Sequence, residues 1–170
     1  KPVRVGLIEA GKFGSMFLSQ VPTTPGLIVT TIADLDPDRA RAACANVGWD
    51  QHRIAATRFI DSGEALCARA DVDVVIEATG HPGAGIRHAL SAFQNGKHIV
   101  MVNVEADVLA GAALARRADE AGVVYTMAYG DQPALVSEQV EWARASGFNV
   151  VCAGKGTKYL PEYHHVTPEG

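Results

Sequence analysis

The sequence predicts a doubly wound α/β fold, in which a mostly parallel β-sheet lies between two layers of helices. Short apolar runs rich in β-branched residues alternate with segments of helical periodicity, and this alternation is typical of βαβ units. The run Leu27–Ala33 is β-branched and mostly apolar, as expected for a parallel strand that is buried on both faces. Right-handed crossovers between such strands place helices on both sides of the sheet and ligands at the carboxyl ends of the strands.

The first half of the chain contains four predicted strands separated by three helices. The strands are predicted at Val3–Ile8, Leu27–Ala33, Ile54–Thr57 and Val72–Ala78. The helices are predicted from capping residues and apolar spacing, and they run from about Gly14 to Val21, from Asp36-Pro37 to Gly48, and from the capping pair Asp61 and Glu64 to Ala70.

The second half of the chain continues the same alternation. Its strands are predicted at His98–Val102, Val123–Met127 and Phe148–Ala153, which gives about seven strands in all. Its helices are predicted at Pro82–Asn95, at about Ala106–Ala121, and from Pro133 to Gly147. The inner face of the Pro82–Asn95 helix is expected to consist of Ile86, Ala89, Leu90 and Phe93.

Composition and charge exclude several classes of protein. The 170 residues are 48% hydrophobic and 20% charged, which is typical of a globular domain. The net charge of −4 provides no basic surface for nucleic acid, and no apolar run reaches the roughly 20 residues of a membrane helix. Because Cys44, Cys67 and Cys152 lack disulfide or zinc spacing, we expect a cytoplasmic protein without a metal site.

The two ends of the chain suggest that it was cut from a longer protein. It begins at Lys1, directly before a predicted strand, and it stops in a polar segment that ends at Gly170. We therefore expect one domain over residues 1–153 and the start of a truncated second domain over residues 154–170.

The turn after the first strand carries an incomplete glycine motif. A Rossmann-like dinucleotide site uses three glycines there, for a tight turn, for close approach of the pyrophosphate and for helix packing. Gly11 and Gly14 occupy the second and third positions, with Lys12 and Phe13 between them, but Glu9 occupies the first. A carboxylate there opposes the favourable field of the helix N-terminus unless it turns outward.

An acidic residue follows the second strand at the expected distance. Asp34 lies ~20 residues beyond Gly14, where a carboxylate binds the ribose hydroxyls and favours NAD. Arg39 or Arg41 can soften that preference, so the sequence leaves NAD and NADP open. The alternative interpretation of Asp34 is a helix cap.

Two later strands end in residues suited to the rest of the cofactor. Thr79 and Gly80 follow the fourth strand, which adjoins the first strand in this topology and so should lie under the second ribose and the nicotinamide. Asn103 follows the fifth strand, near the nicotinamide, and Glu105 is a candidate catalytic residue beside it. Lys155 is the other catalytic candidate, because a lysine can polarise a carbonyl or bind a substrate phosphate.

Three longer runs resemble the homoserine dehydrogenase-like family of NAD(P)-binding oxidoreductases. They are Gly96–Asp107, Gly130–Ala134 and Val151–Tyr159. They are most similar to the branch of this family whose members carry a SAF domain and resemble 1-deoxy-D-xylulose 5-phosphate reductoisomerase. The resemblance implies a nicotinamide dinucleotide and a small-molecule substrate as partners, and a homo-oligomeric parent enzyme. It also implies that residues 1–153 are the dinucleotide-binding domain and that residues 154–170 begin a truncated catalytic and dimerisation domain. This sequence departs from homoserine dehydrogenases at Asn103-Val104, where they carry Asn-Lys, and at Glu9.

Three functional hypotheses follow from these observations. The first is a reductase or reductoisomerase-like enzyme that transfers hydride between a nicotinamide cofactor and a small polar carbonyl or alcohol. The second is a homoserine dehydrogenase, which the missing lysine disfavours. The third is a non-catalytic Rossmann module for ligand sensing or interaction, and Glu9 favours it. In either enzymatic case we expect little or no turnover by this chain alone.

Overall fold

The structure, a computed structural model, describes residues 1–128 and 132–154, and of residues 132–134 only the backbone. Residues 1–128 and 129–170 form separate compact units, and each is described by itself. Within the described residues, no helix is long and apolar enough to cross a membrane. The predicted domain boundary after Ala153 stays a prediction.

Six parallel strands form one sheet in the order β3-β2-β1-β4-β5-β6. The strands are β1 (Val3–Ile8), β2 (Leu27–Ala33), β3 (Arg58–Ile60), β4 (Val74–Glu77), β5 (His98–Met101) and β6 (Tyr125–Met127). The order reverses at β1, which pairs with β2 on one side and β4 on the other. This reversal is the switch point beside which ligands bind in doubly wound sheets.

Helices connect the strands on both faces of the sheet. They are α1 (Lys12–Gln20), α2 (Pro37–Asn46), α3 (Gln51–Ala56), α4 (Gly63–Cys67), α5 (Pro82–Gln94) and α6 (Val104–Ala121). A 3₁₀ turn at Val21–Thr23 follows α1, and α7 (Gln132–Ala145) belongs to the second unit.

Two hydrophobic clusters show that the first unit has three layers. One cluster joins α1, α2 and α3 to the sheet through residues such as Leu18, Cys44 and Ile54. The other joins α4, α5 and α6 to the sheet through residues such as Leu66 and Phe93. The predicted doubly wound α/β fold is therefore confirmed.

One short strand was predicted in the wrong place. The segment Ile54–Thr57 was expected to be a strand, but Gln51–Ala56 is helix α3 and the strand is Arg58–Ile60. The carboxylate of Asp50 caps α3 by accepting a hydrogen bond from the Arg53 N–H. Because this cap satisfies a free N–H of the first turn, it favours a helix over the β propensity of the segment.

Three smaller expectations were also wrong. Helix α4 begins after Ser62, whose hydroxyl accepts from the Ala65 N–H, so Asp61 is not the cap. Leu90, expected on the inner face of α5, is 38% exposed. The predicted seventh strand, Phe148–Ala153, has no strand structure in this described part of the chain. Apolar β-branched residues form a strand only where a neighbouring strand supplies hydrogen-bond partners, which the local sequence cannot specify.

Candidate functional site

A cleft of about 510 Å³ opens at the carboxyl ends of β1, β2 and β4. Its walls come from the loops that follow these strands and from the first turns of α2, α4 and α5. The residues that line it are Ile8, Glu9, Ala33, Asp34, Leu35, Arg39, Asp61, Gly63, Thr79, Gly80, His81, Ala84 and Arg87. The cleft therefore lies at the switch point of the sheet and contains three of the predicted cofactor-binding residues, namely Asp34, Thr79 and Gly80.

The turn between β1 and α1 is tightly closed around Gly14. A Cβ at Gly14 would overlap the carbonyl oxygen of Glu9 and lie 3.4 Å from the Leu7 side chain. Gly11 is the N-cap of α1, and no side chain caps the helix there. The free N–H groups of the first turn thus lack a side-chain cap, and a helix N-terminus of this kind suits a phosphate. Lys12 and Phe13 are exposed on the same turn.

Glu9 has the backbone conformation that the motif reserves for glycine. Its φ of 75° is the only positive φ among the described non-glycine residues. Its carboxylate Oε1 lies 2.7 Å from the position that a Cβ on Gly11 would take. The side chain therefore folds over Gly11, on the face where the motif lets a pyrophosphate approach the backbone.

Asp34 is buried, and both oxygens of its carboxylate accept hydrogen bonds from protein donors. Oδ2 accepts from the Ala10 N–H at 3.0 Å, and Oδ1 accepts from the Asp36 N–H at 3.0 Å. The Arg39 Nη2 donates to Oδ1 at 2.7 Å and to Oδ2 at 2.9 Å. Burial alone would raise the pKa of this carboxyl, but the hydrogen bonds and the charge of Arg39 together hold it below its usual value. Asp34 thus ties the glycine turn to the start of α2.

Arg39 and Arg41, the two arginines that could soften a preference for NAD, lie in different places. The side chain of Arg39 is 55% exposed and lines the cleft beside Asp34. The guanidinium of Arg41 instead lies 4.4 Å from the centre of the Phe59 ring, and Arg41 is not a lining residue of the cleft. Arg39 is therefore the arginine placed to meet a ligand in the cleft.

Thr79 and Asn103 belong to a hydrogen-bond network beneath the cleft. The Asn103 Nδ2 donates to Thr79 Oγ1 and to the carbonyl of His81, both at 3.1 Å. The Asn103 Oδ1 accepts from the Ala106 N–H at 3.0 Å and so caps α6. Asn103 is 2% exposed and does not line the cleft, so it positions the loop after β4 from below.

Glu77 and His88 extend this network into the core, and the sequence analysis did not assign Glu77 a role. Thr79 Oγ1 donates to Glu77 Oε1, and His88 Nδ1 lies 3.1 Å from the same oxygen. Glu77 is fully buried at the end of β4, and its Oε2 has no hydrogen-bond partner. A Cβ on Gly63 would overlap the His88 ring, so this glycine makes room for the histidine. A carboxylate inside an otherwise apolar strand was the signal that could have revealed the pair.

The two catalytic candidates are not brought together in the described residues. Glu105 is exposed in the first turn of α6 and does not line the cleft. An acidic residue in that position stabilises the helix dipole. Lys155 lies outside the described residues. Within the described ranges, no group of three or more histidine, cysteine or acidic residues could hold a metal ion.

The buried thiols have no nucleophilic character. Burial raises the pKa of Cys44 to about 11 and that of Cys67 to about 12. Both thiols stay protonated near neutral pH, and only the thiolate is a strong nucleophile. Cys152 is exposed.

Known proteins share this fold and match most of the chain. Residues 10–127 match the family described as "Homoserine dehydrogenase, NAD binding domain", and residues 130–170 match "Oxidoreductase DRL, catalytic domain". A homoserine dehydrogenase from Neisseria gonorrhoeae is 30% identical over 112 residues, which are 61% of this chain and 23% of that protein.

Two solved structures are similar in fold. The WlbA dehydrogenase from Bordetella pertussis, in complex with NADH and UDP-GlcNAcA, has a TM-score of 0.64 at 23% identity over 85% of this chain and 44% of its own. A 3-ketoreductase from Actinomadura kijaniata, in complex with NADP and TDP-benzene, has a TM-score of 0.65 at 22% identity over 86% of this chain and 43% of its own. The chain thus spans less than half the length of each of these proteins. Because the family match covers most of the sequence, the chain belongs to the family of homoserine dehydrogenase NAD-binding domains.

Proposed function

We propose that this chain is the part of a nicotinamide-dependent oxidoreductase that holds the cofactor, and that the parent enzyme transfers hydride between it and a small polar carbonyl or alcohol. The observation that carries the proposal is the cleft at the switch point, which is lined by Glu9 from the turn after β1, by Asp34 and by the Thr79-Gly80 loop. Gly14 supports it independently, because any side chain there would collide with the turn.

The proposal gives each part of a dinucleotide a partner in or beside the cleft. The uncapped first turn of α1 would offer N–H groups to the pyrophosphate, and the loop that holds Thr79 and Gly80 would hold the second ribose and the nicotinamide. A Cβ on Gly80 would meet no atom within 4 Å, so this part of the loop is open to a ligand. Calorimetric titration of the folded chain with NADPH and NADH tests the proposal. Micromolar binding of either supports it, and binding of neither by the wild type or by Glu9→Gly refutes it.

We further infer that Arg39 shifts the preference toward NADP. Both oxygens of Asp34 already accept two hydrogen bonds each, so a ribose hydroxyl must compete with protein donors. Arg39 is half exposed above Asp34, and a guanidinium is suited to bidentate binding of a 2′-phosphate.

A matched pair of variants tests the role of Arg39. Arg39→Gln should weaken NADPH binding about tenfold, the loss of roughly 1.4 kcal/mol that one charged hydrogen bond accounts for, and should leave NADH binding nearly unchanged. Arg41→Gln is the control, because its guanidinium lies on Phe59 and away from the cleft. Equal losses for both cofactors would show that Arg39 only supports the fold, and the inference would then be wrong.

The chemistry of the substrate is proposed to depend on residues that follow the dinucleotide domain. Lys155 stays the candidate for polarising a carbonyl, and we expect purified chain to show no steady-state turnover. Glu105 stays a weaker candidate, because it is exposed outside the cleft. The reductoisomerase-like branch, a homo-oligomeric parent and a cytoplasmic location are part of the same proposal, and assays of the longer enzyme with phosphorylated hydroxyketones would test the branch.

A non-catalytic ligand-sensing module is the second candidate function. One observation favours it, namely the Glu9 carboxylate that lies over Gly11. If Glu9→Gly binds NADH or NADPH tightly while the wild type binds neither between pH 5 and 8, the native chain does not use the cofactor and the sensing role is favoured.

A further inference from the structure

The Glu9 side chain occupies a fixed place over the glycine turn. With φ at 75°, the main chain directs this side chain differently from an ordinary strand residue. Its Oε1 lies 2.7 Å from the position of a Cβ on Gly11, and Glu9 lines the cleft. A diphosphate that approaches the backbone at Gly11 therefore meets a carboxylate oxygen.

Charged groups from several elements surround this carboxylate. Asp34 at the end of β2 and Glu77 at the end of β4 are acidic neighbours, and Arg39 of α2 is the basic one. The remaining charged or titratable side chains of the turn and of the cleft wall are Lys12, Asp61, His81 and Arg87. Among the side chains with the largest effect on the pKa of Glu9, Arg39 is the cation that opposes the two carboxylates.

We propose that the Glu9 carboxylate covers the pyrophosphate-binding face of the Gly11 turn, and that a dinucleotide binds there together with one proton taken up by Glu9. This inference rests on the proposed cofactor site. The proton comes from solvent and converts the carboxylate to a neutral carboxyl, whose O–H can donate to a phosphate oxygen. No other bond is made or broken.

The electrostatics of the site favour such proton uptake. Partial burial raises the pKa of the Glu9 carboxyl, Asp34 and Glu77 add to the rise, and Arg39 opposes it. A bound diphosphate adds negative charge beside Glu9 and raises this pKa further. The affinity for the dinucleotide is then highest at pH values below the pKa of Glu9 in the free chain. It falls by up to tenfold for each pH unit above that pKa, and it levels off above the pKa of Glu9 in the complex.

Titration of the 170-residue chain with NADP⁺ and NAD⁺ at pH 5.5, 6.5, 7.5 and 8.5 tests this linkage. Glu9→Gln removes the charge at nearly constant shape, and Glu9→Gly provides a second variant suited to the positive φ. Glu120→Gln is the control, because it removes an exposed carboxylate in the last turn of α6. Any titration of the 2′-phosphate is common to all variants and cancels in the ratio of their dissociation constants.

The wild type should have the larger dissociation constant. The ratio of its constant to that of Glu9→Gln should increase at least tenfold from pH 5.5 to 8.5. Calorimetry in buffers of different ionisation enthalpy should show up to one proton taken up by the wild type and less by Glu9→Gln. Equal constants and equal pH profiles would overturn the linkage while leaving the cofactor site intact. If folded wild type, Glu9→Gln and Glu9→Gly all fail to bind, the proposed function itself is wrong.

Discussion

Replacing Asn103 by alanine should destabilise the first unit by roughly 3 kcal/mol, although the residue is neither apolar nor in contact with the cleft. Its Oδ1 caps α6, and loss of a cap costs about 1 kcal/mol. Its Nδ2 donates to Thr79 Oγ1 and to the His81 carbonyl in a site that is 2% exposed. Both bonds are partly buried, and each contributes about 1 kcal/mol.

Two further variants separate these contributions. Asn103→Asp keeps the oxygen that caps α6 but loses both donated hydrogen bonds, so it should still lose more than about 1 kcal/mol. Asn95→Ala is the matched control, because the Asn95 Nδ2 makes one exposed hydrogen bond, to the Ser91 carbonyl. It should change stability by no more than about 0.5 kcal/mol.

Urea denaturation and thermal unfolding followed by circular dichroism measure these effects. A loss of 3 kcal/mol corresponds to a decrease in Tm of roughly 6–12 °C for a chain of this size. If the free energies of unfolding of Asn103→Ala and Asn95→Ala differ by less than about 1 kcal/mol, the hydrogen-bond network under the cleft does not hold the loop after β4. The structural interpretation of Asn103 is then wrong.

Three other predictions test the turn, the buried carboxylate and the thiols. Gly14→Ala should abolish dinucleotide binding and lower Tm, because a Cβ there overlaps a main-chain carbonyl of the same turn; unchanged binding by calorimetry would contradict this. Since the folded chain holds the pKa of Asp34 below its usual value, ionised Asp34 stabilises the fold above about pH 4. The stability of wild type relative to Asp34→Asn should therefore fall as pH decreases from 5 to 2, and a constant difference in urea denaturation would refute it. Burial keeps Cys44 and Cys67 protonated. A thiol reagent should therefore modify one of the three cysteines quickly in native protein and all three in urea. Fast reaction of a second thiol without urea would show that the core opens.

Much of the fold was predictable from local patterns. The β1 and β2 strands are mostly apolar and mostly buried runs whose predicted bounds the structure confirms, since burial on both faces leaves a strong hydrophobic signature. Asp36 before Pro37 correctly marked the start of α2, because its carboxylate accepts from the N–H groups of Asp38 and Arg39. Signals of this kind act between residues close in sequence, so the sequence alone displays them.

Short elements were predicted less well, because their local preferences are weak. The helix at Gln51–Ala56 was mistaken for a strand, and Phe148–Ala153 was predicted as a strand that the described chain does not form. A strand depends on a neighbour that is distant in sequence, whereas β propensity reports only the segment itself.

The amino-acid sequence by itself determined the class of the fold, the glycine turn after β1 and the polar residues at the ends of the central strands. Only the tertiary structure decided that Arg39 rather than Arg41 reaches the cleft, that Asn103 supports it from below, and that Glu9 covers Gly11. Apolar periodicity and glycine spacing follow from constraints along one segment. The direction and partner of a polar side chain depend on contacts between segments, such as the 24 residues that separate Asn103 from Thr79, and only the folded chain brings these together.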